Sequence, residues 1–331
     1  SLLLSASLSS QEASLSRADN IKIFNESQRC FKAAIKEGQK LTESRRCAKL
    51  SLEAGRSLFE PDSKNIAILT YNYGKTLNKY GKERQAVLKN AIKLYESIHG
   101  KDSPELISLL IDAEKANRAV RIAKDSYGGG SILYADTLLA AGMSDPFKGA
   151  RFLEEALQMY MKAGGPESLG VTLANFYLGK NKMAQAQYKL SIPYFLKATK
   201  NPSIASYAHA FLVDAYDRTN QQDKATEQVL IMAAIRGNTA QSYIPLFVQQ
   251  PKYPDRARRF GKEGYAMIEL TVSKEGLALN PTVIEEKPEG QEFGKAALKA
   301  AASLRYVPRF IDGEPVEVPG VLYKYNFNMA R

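Results

Sequence analysis

Gly264-Tyr265-Ala266-Met267-Ile268-Glu269-Leu270-Thr271-Val272-Ser273-Lys274-Glu275-Gly276 is the stretch whose reading decides the fold of the carboxy-terminal part of this chain. From Tyr265 the residues alternate, with Ala266, Ile268, Leu270 and Val272 on one face and Met267, Glu269 and Thr271 on the other. That period of two is the signature of a half-buried strand. Ser273-Lys274-Glu275-Gly276 is a hairpin turn with glycine where a positive φ is wanted. A second strand is expected from Leu277 to about Glu286. Pro281 lies inside it and has no N–H for a ladder, so an edge or a bulge is expected there. Glu292 to Leu304 reads as a helix, because Phe293, Ala297, Ala300, Ala301 and Leu304 share one face. In the final strand Val321, Tyr323, Tyr325, Phe327 and Met329 alternate with Leu322, Lys324, Asn326 and Asn328. A ββαβ module of this kind leaves strand edges unpaired, and such edges invite strand addition.

These residues resemble the carboxy-terminal domain of TonB-type energy transducers. The match runs from Tyr253-Pro254 through a basic helical segment with Ala257, to Gly264 opening the first strand and the Lys274-Glu275-Gly276 turn. It continues with Phe293 and Ala297 in the helix and an Arg-Tyr-x-Pro exit at Arg305, Tyr306 and Pro308. Where the family commonly has tryptophan before Arg-Tyr, this chain has Leu304, and it contains no tryptophan at all. The resemblance implies that the module binds an extended segment of an outer-membrane TonB-dependent receptor by strand addition. It places partner contacts at Gln250, Lys252 and Tyr253 before the module and at Leu322, Lys324, Asn326 and Asn328 on its last strand. It further implies force from inner-membrane motor proteins and a periplasmic location. The usual inner-membrane helix and proline-rich spacer are replaced here by helical repeats, which favours an adaptor over a direct transducer. An anchor preceding the sequence would add attachment to the inner membrane.

A chain of 331 residues suggests two domains on length alone. Its 44% hydrophobic and 24% charged content is that of a globular protein, and no apolar run approaches the length of a transmembrane helix. The net charge is +11, of which +9 falls on the first 250 residues. The lysines and arginines are spread along helices without a clustered tract or an aromatic nucleotide-binding signature, so a solvated basic face is expected and nucleic acid is not an expected partner.

Ser1-Leu2-Leu3-Leu4-Ser5-Ala6-Ser7-Leu8-Ser9-Ser10 starts without methionine. With Ala13 it reads either as the tail of a secretory signal or as a frayed polar tail. Cys30 and Cys47, the two cysteines, are 17 residues apart on what read as two helices of one hairpin. In an oxidising compartment they form a disulfide; as thiols in a helical core they need no function.

From Asp19 to Gln241 the chain reads as helices, with repetition. Gly74, Leu77 and Ala86 have a spacing that recurs at Ala174, Tyr177 and Ala186, at Val213, Tyr216 and Ala225, and more weakly at Leu138, Ala141 and Ala150. The alanine closing each set is expected to let the second helix pack closely on the first. The pattern resembles the tetratricopeptide repeat. Ser63, Ser103-Pro104, Ser168 and Asn201-Pro202 supply helix-start chemistry. Gly81, Gly142 and Lys180-Asn181 are expected to be turns within pairs, and Gly128-Gly129-Gly130 a flexible break. Four or five degenerate repeats are counted, including an atypical first hairpin from Ile21 to Phe59. Tyrosines 71, 73, 177, 207 and 216 fall on first helices, which usually line the groove of such an array.

Enzyme chemistry finds little support. Gly74-Lys75-Thr76 lacks the first glycine of a phosphate loop, where Leu69 stands. His99 and His209 read as structural, there is no metal-ligand spacing, and Glu285 and Glu286 are strand neighbours pointing to opposite faces. The expectation is therefore an α+β, non-enzymatic protein with no cofactor, no metal and no catalytic residue. It comprises a tail at 1–19, an all-α tetratricopeptide-like solenoid at 20–241, a linker at 242–251 and a ββαβ TonB-like domain at 252–331. The rival expectation is a periplasmic repeat scaffold that mediates contacts between envelope proteins, through the helices, without energy transduction.

Overall fold

The structure is a computed structural model that describes residues 15–36, 41–236 and 243–329. The signal-like stretch Ser1–Ser10, Ala13 and the first linker residue Ser242 lie outside the described residues. The chain divides into two compact units, Ser1–Asp145 and Pro146–Arg331.

The first unit is helical: α1 (Arg17–Lys36), α2 (Leu41–Arg56), α3 (Lys64–Thr76), α4 (Lys82–His99), α5 (Ile107–Asp112), α6 (Ala116–Tyr127) and α7 (Ile132–Ser144). A disulfide between Cys30 and Cys47 joins α1 to α2 at a Cα separation of 5.9 Å. Beside it Phe31, Ala48, Leu52, Ile66 and Leu69 form one apolar cluster spanning α1 to α3. Ser63 caps α3 by accepting the Ile66 N–H, and Ser131 caps α7 by accepting that of Tyr134. Gly128 ends α6 at φ +82°, and the glycine triplet forms the turn into α7.

The helices of the second unit are α8 (Ala150–Gly164), α9 (Leu169–Ala184), α10 (Tyr188–Ala198), α11 (Pro202–Arg218) and α12 (Gln222–Arg236). Ser168 and Asn201 are the N-caps of α9 and α11. In two pairs, α3–α4 and α9–α10, close approach comes from a glycine on the first helix, and this corrects the reading of the alanine there. A Cβ on Gly74 would meet Leu88 at 2.6 Å, and one on Gly179 would meet the Phe195 ring at 2.6 Å. Ala86 is exposed and Ala186 sits in a turn at φ +56°, whereas Ala225 is buried as expected. Gly142 and Lys180-Asn181 likewise lie inside α7 and α9 and are not turns, because the apolar pattern of each helix runs past them.

The terminal module adds α13 (Asp255–Arg259), β1 (Gly264–Val272), β2 (Ala278–Lys287), α14 (Phe293–Ala301), β3 (Arg309–Ile311), β4 (Glu314–Val316) and β5 (Val318–Phe327). Its main sheet has the order β2-β1-β5, antiparallel throughout, and β3 with β4 forms a separate hairpin that the sequence reading did not anticipate. The inner residues Ala266, Ile268, Leu270, Val272, Val321, Tyr325 and Phe327 pack under α14 with Phe293, Ala297, Ala301 and Leu304. The α+β class and the ββαβ core are as the alternation required. Leu304 is 1% exposed, so leucine fills the pocket where the family commonly has tryptophan.

Candidate strand-acceptor site

The two outer strands of the sheet differ in how regularly they pair with β1. On β2 the pairing with β1 slips twice, once on each side of Ile268 and Glu269, and the second slip brackets Asn280 (φ +50°) and Pro281. Proline and bulges blunt an edge against further pairing. On β5 the register is continuous from Val321 opposite Leu270 to Phe327 opposite Gly264, with no proline or glycine in that run. Among the described strands none pairs with the other side of β5. This edge therefore presents unpaired backbone N–H and C=O groups along the run from Val321 to Phe327.

The side chains expected at the site fall into two groups. Leu322, Lys324 and Asn326 are exposed and share the face of the sheet away from α14, where Leu322 is 53% exposed. Lys324 places its ammonium 3.6 Å from the centre of the Tyr265 ring, a cation–π contact that holds the side chain along the sheet. Asn328 lies just beyond the end of β5 and is exposed. Gln250 and Lys252 are exposed in the segment before α13. Tyr253 is tied into the module: its ring stands edge-on to Phe293 and Phe327, and its hydroxyl donates to the Lys262 carbonyl at 2.8 Å. That packing brings the entry segment to the carboxy-terminal end of β5, so the two expected contact regions converge at Tyr253.

Two residues position the module in ways the sequence did not disclose. Glu286, on β2, caps α14. Its carboxylate accepts the N–H groups of Gln291, Phe293 and Gly294 at 2.9, 3.3 and 3.1 Å. The nominal cap Glu292 has φ +64° and makes no side-chain cap, so the strand supplies the charge that the helix start needs. Arg305, in the Arg-Tyr-x-Pro motif, is the second. Its Nε and Nη2 donate to the two carboxylate oxygens of Asp217 on α11, at 2.8 and 2.6 Å. Its main chain is clasped on both sides, by Leu246 N–H donating to its carbonyl at 2.7 Å and by bridges to Phe247 and Leu277. Val307 packs with Met232 and Ala233 of α12. A cavity of about 380 Å³ opens beside the ion pair, lined in part by Asp214, Arg218, Gln249 and Leu304. Burial raises the Asp214 carboxyl above the ordinary range, opposed by the hydrogen bond and charge of Arg218 at 2.8 Å. No spacing rule connects positions 88 apart, so the Asp217 partnership had no local signal.

Residues 249–329 match the family described as the carboxy-terminal domain of the Gram-negative bacterial TonB protein. The terminal module is a TonB-type domain. TonB domains belong to a periplasmic, transport-associated family. No curated protein matches the chain. Among solved structures, BtubC (BKLC) from P. vanneervenii aligns with a TM-score of 0.37 and 14% identity, over 71% of this chain and 97% of that one. That likeness is too distant to assign a fold. Among the described residues no helix is long and apolar enough to cross a membrane.

Proposed function

We propose that this protein is a periplasmic, non-enzymatic TonB-like adaptor whose terminal domain captures an extended segment of an outer-membrane receptor by adding it as a strand beside β5. The observation that carries this reading is the edge of β5 that no described strand pairs, regular from Val321 to Phe327, on the opposite side of the sheet from a β2 edge interrupted at Asn280 and Pro281. Backbone hydrogen bonds to that edge supply affinity, and Leu322, Lys324, Asn326 and Asn328 on the strand, with Gln250, Lys252 and Tyr253 at its end, select the peptide. The helical repeats lie where a transducer would carry its spacer, which supports coupling through partners of the helices in place of direct pulling. The disulfide of α1 and α2 is consistent with an oxidising compartment. The test is a titration of isotopically labelled protein with peptides from receptor amino termini. The expected result is added hydrogen-exchange protection at alternate β5 amides between Val321 and Phe327, since only every second N–H faces outward. Peptide binding without any change at those amides would transfer the partner site to the helices.

A further inference from the structure

We propose that the chain from Lys252 to Glu263 is a contact site for an anionic lipid surface, held by Arg256, Arg258, Arg259 and Lys262 and seated by the exposed ring of Phe260. This inference needs no strand addition at β5, although Lys252 also stands among the residues proposed there to select the peptide. Ala257 is fully buried in the module core and pins α13 by its inner side. Successive helical residues rotate by about 100°, so Arg256 and Arg258 flank the pinned side and Arg259 points away from it. Phe260 follows at the end of the helix and is 63% exposed, and Gly261 at φ +60° turns the chain so that Lys262 is exposed too. Lys252 adds a fifth cation at the start of the stretch.

Two acids offset part of that charge, and one of them already holds Arg258. Asp255 accepts from Arg258 at 2.7 Å, and Glu263 accepts the Met329 N–H at 2.7 Å. What remains is a net positive, exposed stretch that carries an exposed aromatic ring. Clustered basic residues around an exposed aromatic suit the headgroup layer of an anionic bilayer, where the ring enters the interface and the cations meet phosphates. An acidic peptide would share the charge preference, but the interface of a bilayer also offers the exposed ring an apolar layer to enter.

Full-length protein sedimented with vesicles tests the proposal. It should co-sediment with vesicles enriched in phosphatidylglycerol and not with pure phosphatidylcholine. Binding should fall about tenfold on moving from low to high salt. Arg256→Glu with Arg259→Glu should abolish it, and Phe260→Ser should weaken it roughly fivefold while leaving the salt dependence intact. Circular dichroism establishes that each exposed-residue variant is folded. Equal binding to both vesicle types overturns the proposal, as does undiminished sedimentation of the folded double variant. Capture of polyglutamate without vesicle binding reassigns the patch to an acidic peptide. Displacement by inorganic phosphate, beyond that by sodium chloride of equal ionic strength, reassigns it to a single-anion site.

Discussion

A guanidinium that is 6% exposed and shares both of its hydrogen bonds with one carboxylate cannot be left alone without cost. Asp217→Asn keeps the shape but strands the Arg305 charge, and should destabilise the second unit by about 3 kcal/mol in urea unfolding. Replacing both partners with apolar residues of similar volume should recover much of that loss. Gly264 illustrates a different constraint at the same scale. A Cβ there would run into the carbonyl oxygen of Lys287 and meet the Phe293 ring at 2.7 Å, and backbone cannot step aside as a flexible side chain can. Gly264→Ala should therefore cost roughly 1–3 kcal/mol, read as a lowered urea midpoint with unchanged slope. Tyr73 has its hydroxyl donating to Glu83 at 2.6 Å, and burial first, then that carboxylate, pushes it up to about 12 from the ordinary 10.0. Burial raises Tyr306 and Tyr325 as well. Folding thus favours the protonated phenol, so this stabilisation is complete below pH 10 and is lost as pH rises toward 12. Absorbance titration should show the group formed by Tyr73, Tyr306 and Tyr325 ionising only with cooperative unfolding at high pH.

Elements obey the same local rules with different outcomes. The alternation of β1 and β5 read directly, because each strand buries one face under α14 and a one-residue slip would expose all of it. Helix starts at Ser63, Ser168 and Asn201 were legible because a side-chain oxygen satisfies N–H groups within its own turn. The positions of turns inside helical pairs were less legible. Gly142 and Asn181 are breakers by type, yet each is buried inside a helix, where packing outweighs a propensity cost of about 1 kcal/mol. The α1–α2 pair carries the cross-link between Cys30 and Cys47. Reduction, or Cys30→Ser with Cys47→Ser, frees a loop closed at a sequence separation of 17 and should lower the stability of the first unit by about 3 kcal/mol. Thermal unfolding followed with and without reductant reports it, and an unchanged midpoint would remove the bridge from any structural role.

For the molecule as a whole, we propose that a fragment beginning near Gln250 folds on its own, with the linker at 242–251. Every strand of the main sheet and both module helices lie beyond that point, and their core cluster is contiguous. Limited proteolysis of the intact chain should release it slowly. Asp217→Asn should speed the release, because the Arg305 clasp draws the segment from Leu246 to Arg305 against α11 and α12. Cleavage scattered through the module itself would contradict an independent fold.

The sequence by itself determined the module and the helical character of what precedes it. Both depend on short-range periodicity, turn chemistry and caps, whose physical reach is a few residues. It also carried the motif positions that mark the TonB-type domain. Only the tertiary structure decided which strand edge stays open, since β2 and β5 both read as strands and their places in the sheet depend on pairing with β1. Only the tertiary structure, too, assigned Arg305 to Asp217 and Glu286 to the start of α14. Each charge is satisfied by a group that folding brings near, and the energy of pairing depends on distance and burial rather than on position along the chain.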